Sequence, residues 1–349
     1  MKIAMTHVDL PNEAKGGVAF QVHYLANALV ERGHDVTMFT FSPSFAECRY
    51  QVHQYPIRPT SRRYKAFLLA LYSARTDFTG FDILHTHGDN YLLRGSHPQI
   101  RTFYGSAKDE AQTAVTLRRR VYQTLMVALE AAGGRVADKS IGISEATRAR
   151  IPAISAIIPC GVDLRQFQPG PKSNTPTILF VGTTGGRKRG TLLAEIFQRE
   201  IRPRFPEAQL WSVAEKPMEG EGIVNFGKVP LETLTDLYRK AWVFCLPSTY
   251  EGFGVPYIEA MASGTAVVAT PTPGAREVLQ DAKFGLLADD DQLAAQINAL
   301  LGDEERRHGF ERRGLSRADD YDWPKIVAQY EQVYQQLTTP VTLSPCHVR

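Results

Sequence analysis

The chain has 349 residues, 43% of them hydrophobic and 22% charged, with a formal net charge of +3. That length exceeds one comfortable hydrophobic core and predicts two domains, and the composition is that of a soluble globular enzyme. So mild a charge gives no case for nucleic acid, no apolar run (Ala66–Tyr72 is among the longest) approaches a membrane span, and the four cysteines, Cys48, Cys160, Cys245 and Cys346, are too scattered for a disulfide framework or a zinc site.

In chain order the pattern is strand, loop, helix, repeated. Ile3–Met5 is a short apolar strand directly at the N-terminus, with none of the features of a secretory signal, so a cytoplasmic location is expected. A polar segment then ends at Gly16-Gly17, and Val18, Val22, Leu25 and Leu29 recur at helical spacing. Gly33 stops that helix, Val36–Phe41 gives the next strand, and Phe81–His85 and Ile100–Phe103 read as two more. The run from Gln168 to Pro176, rich in Pro, Gly and small polar residues, has the composition of an interdomain linker. The alternation restarts with Ile178–Val181, a glycine-rich turn from Gly182 to Gly190, and a helix bearing Leu192, Leu193, Ile196 and Phe197. Ala241–Leu246 and Ala266–Ala269 follow as buried strands. Such alternation predicts an α/β protein of two Rossmann-like domains, 1–168 and 176–320, each a parallel sheet covered on both faces. The residues after about Thr338 read as a disordered tail.

The most informative stretch runs from Pro247 to Gly264. Pro256 stands where a first helical residue belongs and Gly264 where the helix stops. Glu251–Val255 is therefore a loop presenting backbone N–H groups at a helix N-terminus, a ready anion site. Glu259 is expected in the first turn of that helix, facing the same loop as Glu251. For Glu259 alone, a helix-stabilising acid is the simpler reading. The whole string, two acids bracketing a glycine-rich anion loop, suits a sugar hydroxyl, a diphosphate and a ribose. Asp289-Asp290-Asp291 satisfies a D-x-D metal pattern but precedes the helical Leu293–Ile297, so it reads as a helix cap and no metal is required.

This string resembles the family 4 retaining glycosyltransferases of the GT-B fold, whose hallmark is two glutamates separated by seven residues, here Glu251 and Glu259. Five further motifs follow in order. Gly16-Gly17 is similar to the family's diglycine loop, Asp82–His87 to its DIVHAH strand end, and Ile143–Thr147 to its VSE-T segment. Ile158–Asp163 is similar to its IPNGVD turn, and Trp323, Tyr330 and Tyr334 to its terminal helix. The resemblance implies two facing Rossmann-like domains with a C-terminal helix, about 323–338, crossing back to the first.

It also implies the roles. Glu251 would contact donor-sugar hydroxyls and Glu259 the ribose. The N–H groups of Phe253, Gly254 and Val255 would face sugar and phosphate, Gly16 and Gly17 the diphosphate, and Val229 the base. Thr183 stands where the family usually has Arg, and Arg189 where it has Lys before the last glycine of the turn. Arg189 is accordingly expected to carry most of the leaving-group stabilisation, with Lys188 beside it and Arg187 as a further donor contact. Tyr104 replaces a family histidine near the reacting centre; His87 is the residue that would partly substitute for it on the acceptor side, although a strand-end His is more often structural.

The implied reaction moves a sugar from a nucleoside diphosphate, UDP ahead of GDP, to a hydroxyl of a carbohydrate, lipid-linked or small-molecule acceptor. Configuration is retained and no cofactor or metal is needed. Arg62, Arg63, Lys65 and Arg75 flank Phe67–Leu71, and Arg118–Arg120 precede Val121 and Leu125. Ordinary amphipathic helices explain both, though a lipid-linked acceptor and peripheral contact at the inner membrane face would suit them. An epimerase or phosphorylase on the same fold, or an inactive sugar-nucleotide-binding subunit, stays open at this point.

Overall fold

The computed structural model describes residues 1–11, 16–88, 90–93, 95, 97–112 and 117–339, without the side chains of 59, 62, 63, 110–112 and 117–120. The expectations placed on the side chains of Arg62, Arg63 and Arg118–Arg120, on Cys346 and on the tail from 340 lie outside the described residues. The chain folds as two compact units, Met1–Ile158 with the chain from Pro324 on, and Pro159–Trp323.

The first unit is built on a sheet of seven strands: β1 (Lys2–Thr6), β2 (Asp35–Thr40), β3 (Gln51–Gln54), β4 (Ile83–Thr86), β5 (Gln99–Phe103), β6 (Lys139–Gly142) and β7 (Ala156–Ile157). All pair in parallel, in the order β3-β2-β1-β4-β5-β6-β7. Ile3, Ala4 and Met5 are fully buried, so successive side chains on opposite faces of β1 are both covered, as helices on both faces require. The helix Trp323–Thr338 belongs to this unit beyond its first residue. Its Tyr334 hydroxyl meets His85 Nδ1 at 2.7 Å, and its Glu331 bonds Arg32 Nε at 2.8 Å and His34 Nε2 at 2.9 Å.

The second unit repeats the plan with β8 (Thr177–Val181), β9 (Gln209–Val213), β10 (Ile223–Asn225), β11 (Val243–Leu246), β12 (Ala266–Ala269) and β13 (Leu286–Leu287). These too are parallel, in the order β10-β9-β8-β11-β12-β13. Four consecutive residues of β11, Val243 to Leu246, are fully buried, which is why that strand was legible as an unbroken apolar run. β3, β7, β10 and β13 were not, because they are short and sit at the sheet edges, and the internal β6 and β9 were missed as well, because Lys139, Ser140, Gln209 and Ser212 interrupt their apolar runs.

The Gln168–Pro176 segment differs from the linker expected there. Lys172 Nζ donates to Ala241 O and Thr265 Oγ1, both at 2.9 Å, and Trp242 Nε1 donates to Ser173 O at 2.8 Å. The stretch is packed edge structure of the second unit, and Pro and Gly serve a tight path along a surface as well as they serve a linker. The chain passes between units at Ile158–Pro159 and returns at Trp323–Pro324. These passages are tied together: Val162 N donates to Tyr321 O at 2.9 Å, and Trp323 N to Val162 O at 3.2 Å. A Cβ on Gly161 would lie 2.6 Å from the Trp323 ring, so this turn needs glycine.

Candidate functional site

In each sheet the strand order reverses beside the first strand, and loops leaving the C-terminal ends there form the natural ligand position of a doubly wound fold. In the second unit the switch lies between β8 and β11. The β8 loop carries one 3₁₀ turn, Gly186–Lys188, then Arg189 in the left-handed region at φ 53, then the helix Gly190–Ile196. A Cβ on Gly190 would lie 2.9 Å from the Phe180 ring, which cannot give way as the nearby tip of Met218 can, so glycine lets the helix start this close to β8. The β11 loop is fastened to it, with Thr249 N donating to Arg187 O at 2.8 Å. Gly254 then caps the helix Val255–Ala262 at φ 97, where a Cβ would meet the Tyr257 ring at 2.3 Å. Gly254 and Val255 open that helix, so their N–H groups precede the first intrahelical acceptors.

Lys188 and Glu251 form the centre of this arrangement. Lys188 Nζ lies 2.7 Å from Glu251 Oε1, with side-chain exposures of only 16% and 6%. Ser248 Oγ donates to the same carboxylate oxygen at 2.7 Å, and Gly274 N donates to the Glu251 carbonyl at 2.9 Å. A Cβ on Gly274 would lie 2.5 Å from Phe253 O, so that glycine lets the following helix seat against the loop.

Arg189 does not face this carboxylate. Its guanidinium grips Asp290 through both oxygens at 2.6 and 2.7 Å, and its Nε donates to Pro247 O at 2.6 Å. Arg189 was expected to be the leading cation; with Arg189 left-handed, the two neighbours leave the turn toward different loops, and it is Lys188 that stands beside Glu251. Arg187 is exposed. The capping expected of Asp289–Asp291 is corrected. Gln292 occupies the cap of the helix Leu293–Gly302 without a side-chain bond, and Asp289 contributes only its carbonyl, to Gln292 N at 2.9 Å and Leu293 N at 3.1 Å. A cavity of about 560 Å³ opens on the Arg189–Asp290 side and is lined by Ser248 and Thr249 but not by Lys188, Glu251 or Glu259, so it lies beside the glutamate pair. Among the described residues, no group of three or more His, Cys, Asp and Glu side chains could hold a metal ion.

Glu259 is the fifth residue of its helix, one turn deeper than expected, and the first turn holds no acid. Tyr238, fully buried on the helix Leu231–Lys240, donates its hydroxyl to Glu259 Oε2 at 2.9 Å. Burial pushes the Glu259 carboxyl up to about 7, against the opposing Tyr238 hydrogen bond and the Lys188 charge. Val229 lies partly buried in the turn after β10, which leads through Pro230 into the same Tyr238-bearing helix.

In the first unit, Gly16 and Gly17 are exposed, and Gly17, at φ 59, opens the helix Val18–Glu31. At the ends of β4 and β5, His87 Nδ1 and the Tyr104 hydroxyl are 3.0 Å apart. His87 stacks near His85, ring centroids 3.9 Å apart, and His85 Nε2 meets Thr102 Oγ1 at 2.8 Å. Burial lowers both imidazoles, His85 to about 3 and His87 well below its usual value, His87 further through the nearby His85 and His7, so both are neutral at pH 7.

Two doubly wound parallel units, the first including the returning helix, are the architecture of the GT-B glycosyltransferases, and the chain belongs to family 4 of these enzymes. The family described as Glycosyltransferase Family 4 matches residues 15–166, and Glycosyl transferases group 1 matches residues 175–303. Phosphatidyl-myo-inositol mannosyltransferase of Mycolicibacterium smegmatis is 28% identical over 371 residues, covering 93% of this chain and 92% of the relative. Sucrose-phosphate synthase from Thermosynechococcus elongatus superposes with a TM-score of 0.78 at 25% identity, covering 96% of this chain and 98% of the other. Anabaena HepE in complex with UDP-glucose, 15% identical, shares the fold with a TM-score of 0.71 over 97% of this chain and 100% of the other.

Sequence reasoning missed Ser248, Gly274 and Tyr238, and read Asp290 as part of a helix cap rather than as the partner of Arg189. Gly274 and Ser248 carried a weak local signal, a glycine after Pro273 and a hydroxyl before the acidic loop. The pairings of Tyr238 with Glu259 and of Asp290 with Arg189 span 21 and 101 residues, and no local pattern marks them.

Proposed function

We propose that this enzyme transfers a hexose from a nucleoside diphosphate to an acceptor hydroxyl with retention of anomeric configuration. The observation that carries this is the Lys188–Glu251 pair at the β8/β11 switch, set against the opening of a helix. The bond from the anomeric carbon to the diphosphate breaks, its electron pair leaves on the diphosphate oxygen, and the acceptor oxygen takes the sugar as its hydroxyl proton passes to that departing oxygen. Negative charge grows on the diphosphate, where Lys188 and the N–H groups of Gly254 and Val255 supply preorganised positive charge. Glu251 accepts from sugar hydroxyls, Glu259 from ribose, and Val229 lies on the base side. Gly16 and Gly17 are further diphosphate contacts, and Arg187 is an outer one.

The sugar named by the mycolicibacterial relative, mannose, is the first to test, and UDP-glucose, named with the Anabaena structure, is the second. A lipid-linked acceptor is favoured by Val121, Tyr122 and Leu125, 63%, 41% and 51% exposed on one helix, with Tyr122 meeting Phe67 of a second helix at 6.1 Å. The test incubates the enzyme with GDP-mannose or UDP-glucose, in excess EDTA, with a membrane lipid extract or free hexoses. Expected is release of one nucleoside diphosphate per sugar transferred, with the α-linkage of the donor kept and the rate unchanged by chelation. Release without transfer to any acceptor, or an inverted product, overturns the reading; loss of transfer restored by Mg²⁺ or Mn²⁺ overturns its metal independence.

Tyr104 is proposed to meet the acceptor, its hydroxyl oriented by neutral His87. Tyr104→Phe is expected to lower kcat or raise the acceptor KM by roughly tenfold, the scale of one hydrogen bond made at the reacting groups, with donor affinity unchanged. Steady-state kinetics on both substrates checks it, and unchanged acceptor kinetics removes Tyr104 from the site.

A further inference from the structure

The helix that carries Glu259 packs on three others, Leu231–Lys240, Pro273–Leu279 and Glu304–Ala318, with different consequences. Through Met261 it meets the helix Glu304–Ala318, where Gly314 leaves room for the Met261 side chain. Through Glu259 it meets Tyr238, whose hydroxyl points at one carboxylate oxygen, Oε2, from a fully buried position. The charged group facing Glu259 from the β8 loop is Lys188.

We propose that Tyr238 is a positioning residue for donor binding: its hydroxyl holds Glu259 Oε2 and thereby fixes Oε1 toward the ribose. The proposal rests on the reading above that Glu259 binds ribose. A hydrogen bond to a carboxylate favours the ionised form, and that form is the stronger acceptor for ribose hydroxyls. Tyr238 therefore acts on affinity by two routes, orientation and ionisation. The second leaves a signature that a merely structural residue lacks. Burial has raised the Glu259 carboxyl to about 7, so the ionised fraction is sensitive near neutral pH. The sign is definite: donor binding is complete above that value and weakens as pH falls through it. Loss of the Tyr238 bond moves the transition upward.

The experiment measures the Kd of UDP and of GDP by calorimetry at about pH 6, 7 and 8.5 for the wild type, Tyr238→Phe and Glu259→Gln. Losing one hydrogen bond to a charged group corresponds to roughly one unit of upward shift. Tyr238→Phe should then bind about tenfold more weakly than wild type at the lowest pH and about fivefold at neutral pH. Above pH 8 the ionisation part falls to within about twofold, and any penalty beyond that is the part due to lost orientation. Glu259→Gln should bind weakly at every pH, and its residual slope supplies the titration of the nucleotide itself. A Tyr238→Phe penalty that is the same at all three pH values, or absent, overturns the proposal while leaving ribose recognition by Glu259 intact. Wild-type affinity in Glu259→Gln overturns the ribose reading itself, and the proposal with it.

Discussion

Lys188→Ala should lower kcat by roughly 10²–10³-fold, the scale of removing one preorganised electrostatic donor from a leaving group. Lys188 is the cation 2.7 Å from Glu251, almost shielded from water, whereas the guanidinium of Arg189 spends its donors on Asp290 and Pro247 O. Within this pair the two charges satisfy each other. A diphosphate then offers Lys188 a second anion, and that contact strengthens as the sugar departs, so kcat should fall more than donor affinity. Arg189→Gly removes the guanidinium while suiting the left-handed backbone at φ 53, and it should cost less than tenfold in kcat. Single-turnover rates and donor Kd for the two variants decide between them. A crippled Arg189→Gly beside a near-normal Lys188→Ala would show that the cation has been assigned to the wrong side of this turn.

Glu251→Ala should abolish transfer to below about 1% of wild type, since it loses both the sugar contact and the anchor of Lys188. The side chain makes its bonds to Ser248 and Lys188 through Oε1, so Oε2 is the oxygen available to a sugar hydroxyl. Glu251→Gln separates the two losses. Its amide keeps an acceptor for Ser248 and a group for the sugar, but Lys188 loses its counter-charge in a poorly hydrated position. We expect Glu251→Gln to retain more activity than Glu251→Ala, with similar thermal stability in both because the loop backbone is held separately by Gly274. Full activity in Glu251→Ala, with an unchanged melting temperature, would remove this carboxylate from the reaction.

The parts of the site that were legible are those fixed by local backbone demands. Gly254 must adopt positive φ, Pro256 suits a helix start, and Gly190 must clear the Phe180 ring, so each leaves a trace in the order of residues. The unbroken apolar stretches of β1 and β11 were readable for a similar reason, both faces being covered. What stayed hidden is what side chains choose once the chain is folded. That Arg189 goes to Asp290 while Lys188 goes to Glu251 depends on one left-handed residue, which no composition rule predicts for arginine. The depth of Glu259 depends on where the helix begins, and boundaries shift by a residue or two without any change in pattern. The Gln168–Pro176 segment misled because packed edge and free linker draw on the same residues.

The returning helix also dictates a schedule for synthesis. His85 and Thr102 wait for Tyr334 and Tyr330, which lie 249 and 228 residues further along the chain. When the ribosome has finished the seven strands of the first unit, the surface that will receive this helix is still bare, and the second unit is completed before the cover arrives. The continuous unit can therefore fold first and the earlier-made one must finish last, an inversion of the usual N-to-C order. Any dissection of the enzyme inherits the same requirement: a fragment ending at Ile158 lacks the phenols that its buried imidazole needs, and a separable first half has to carry the final helix as a graft.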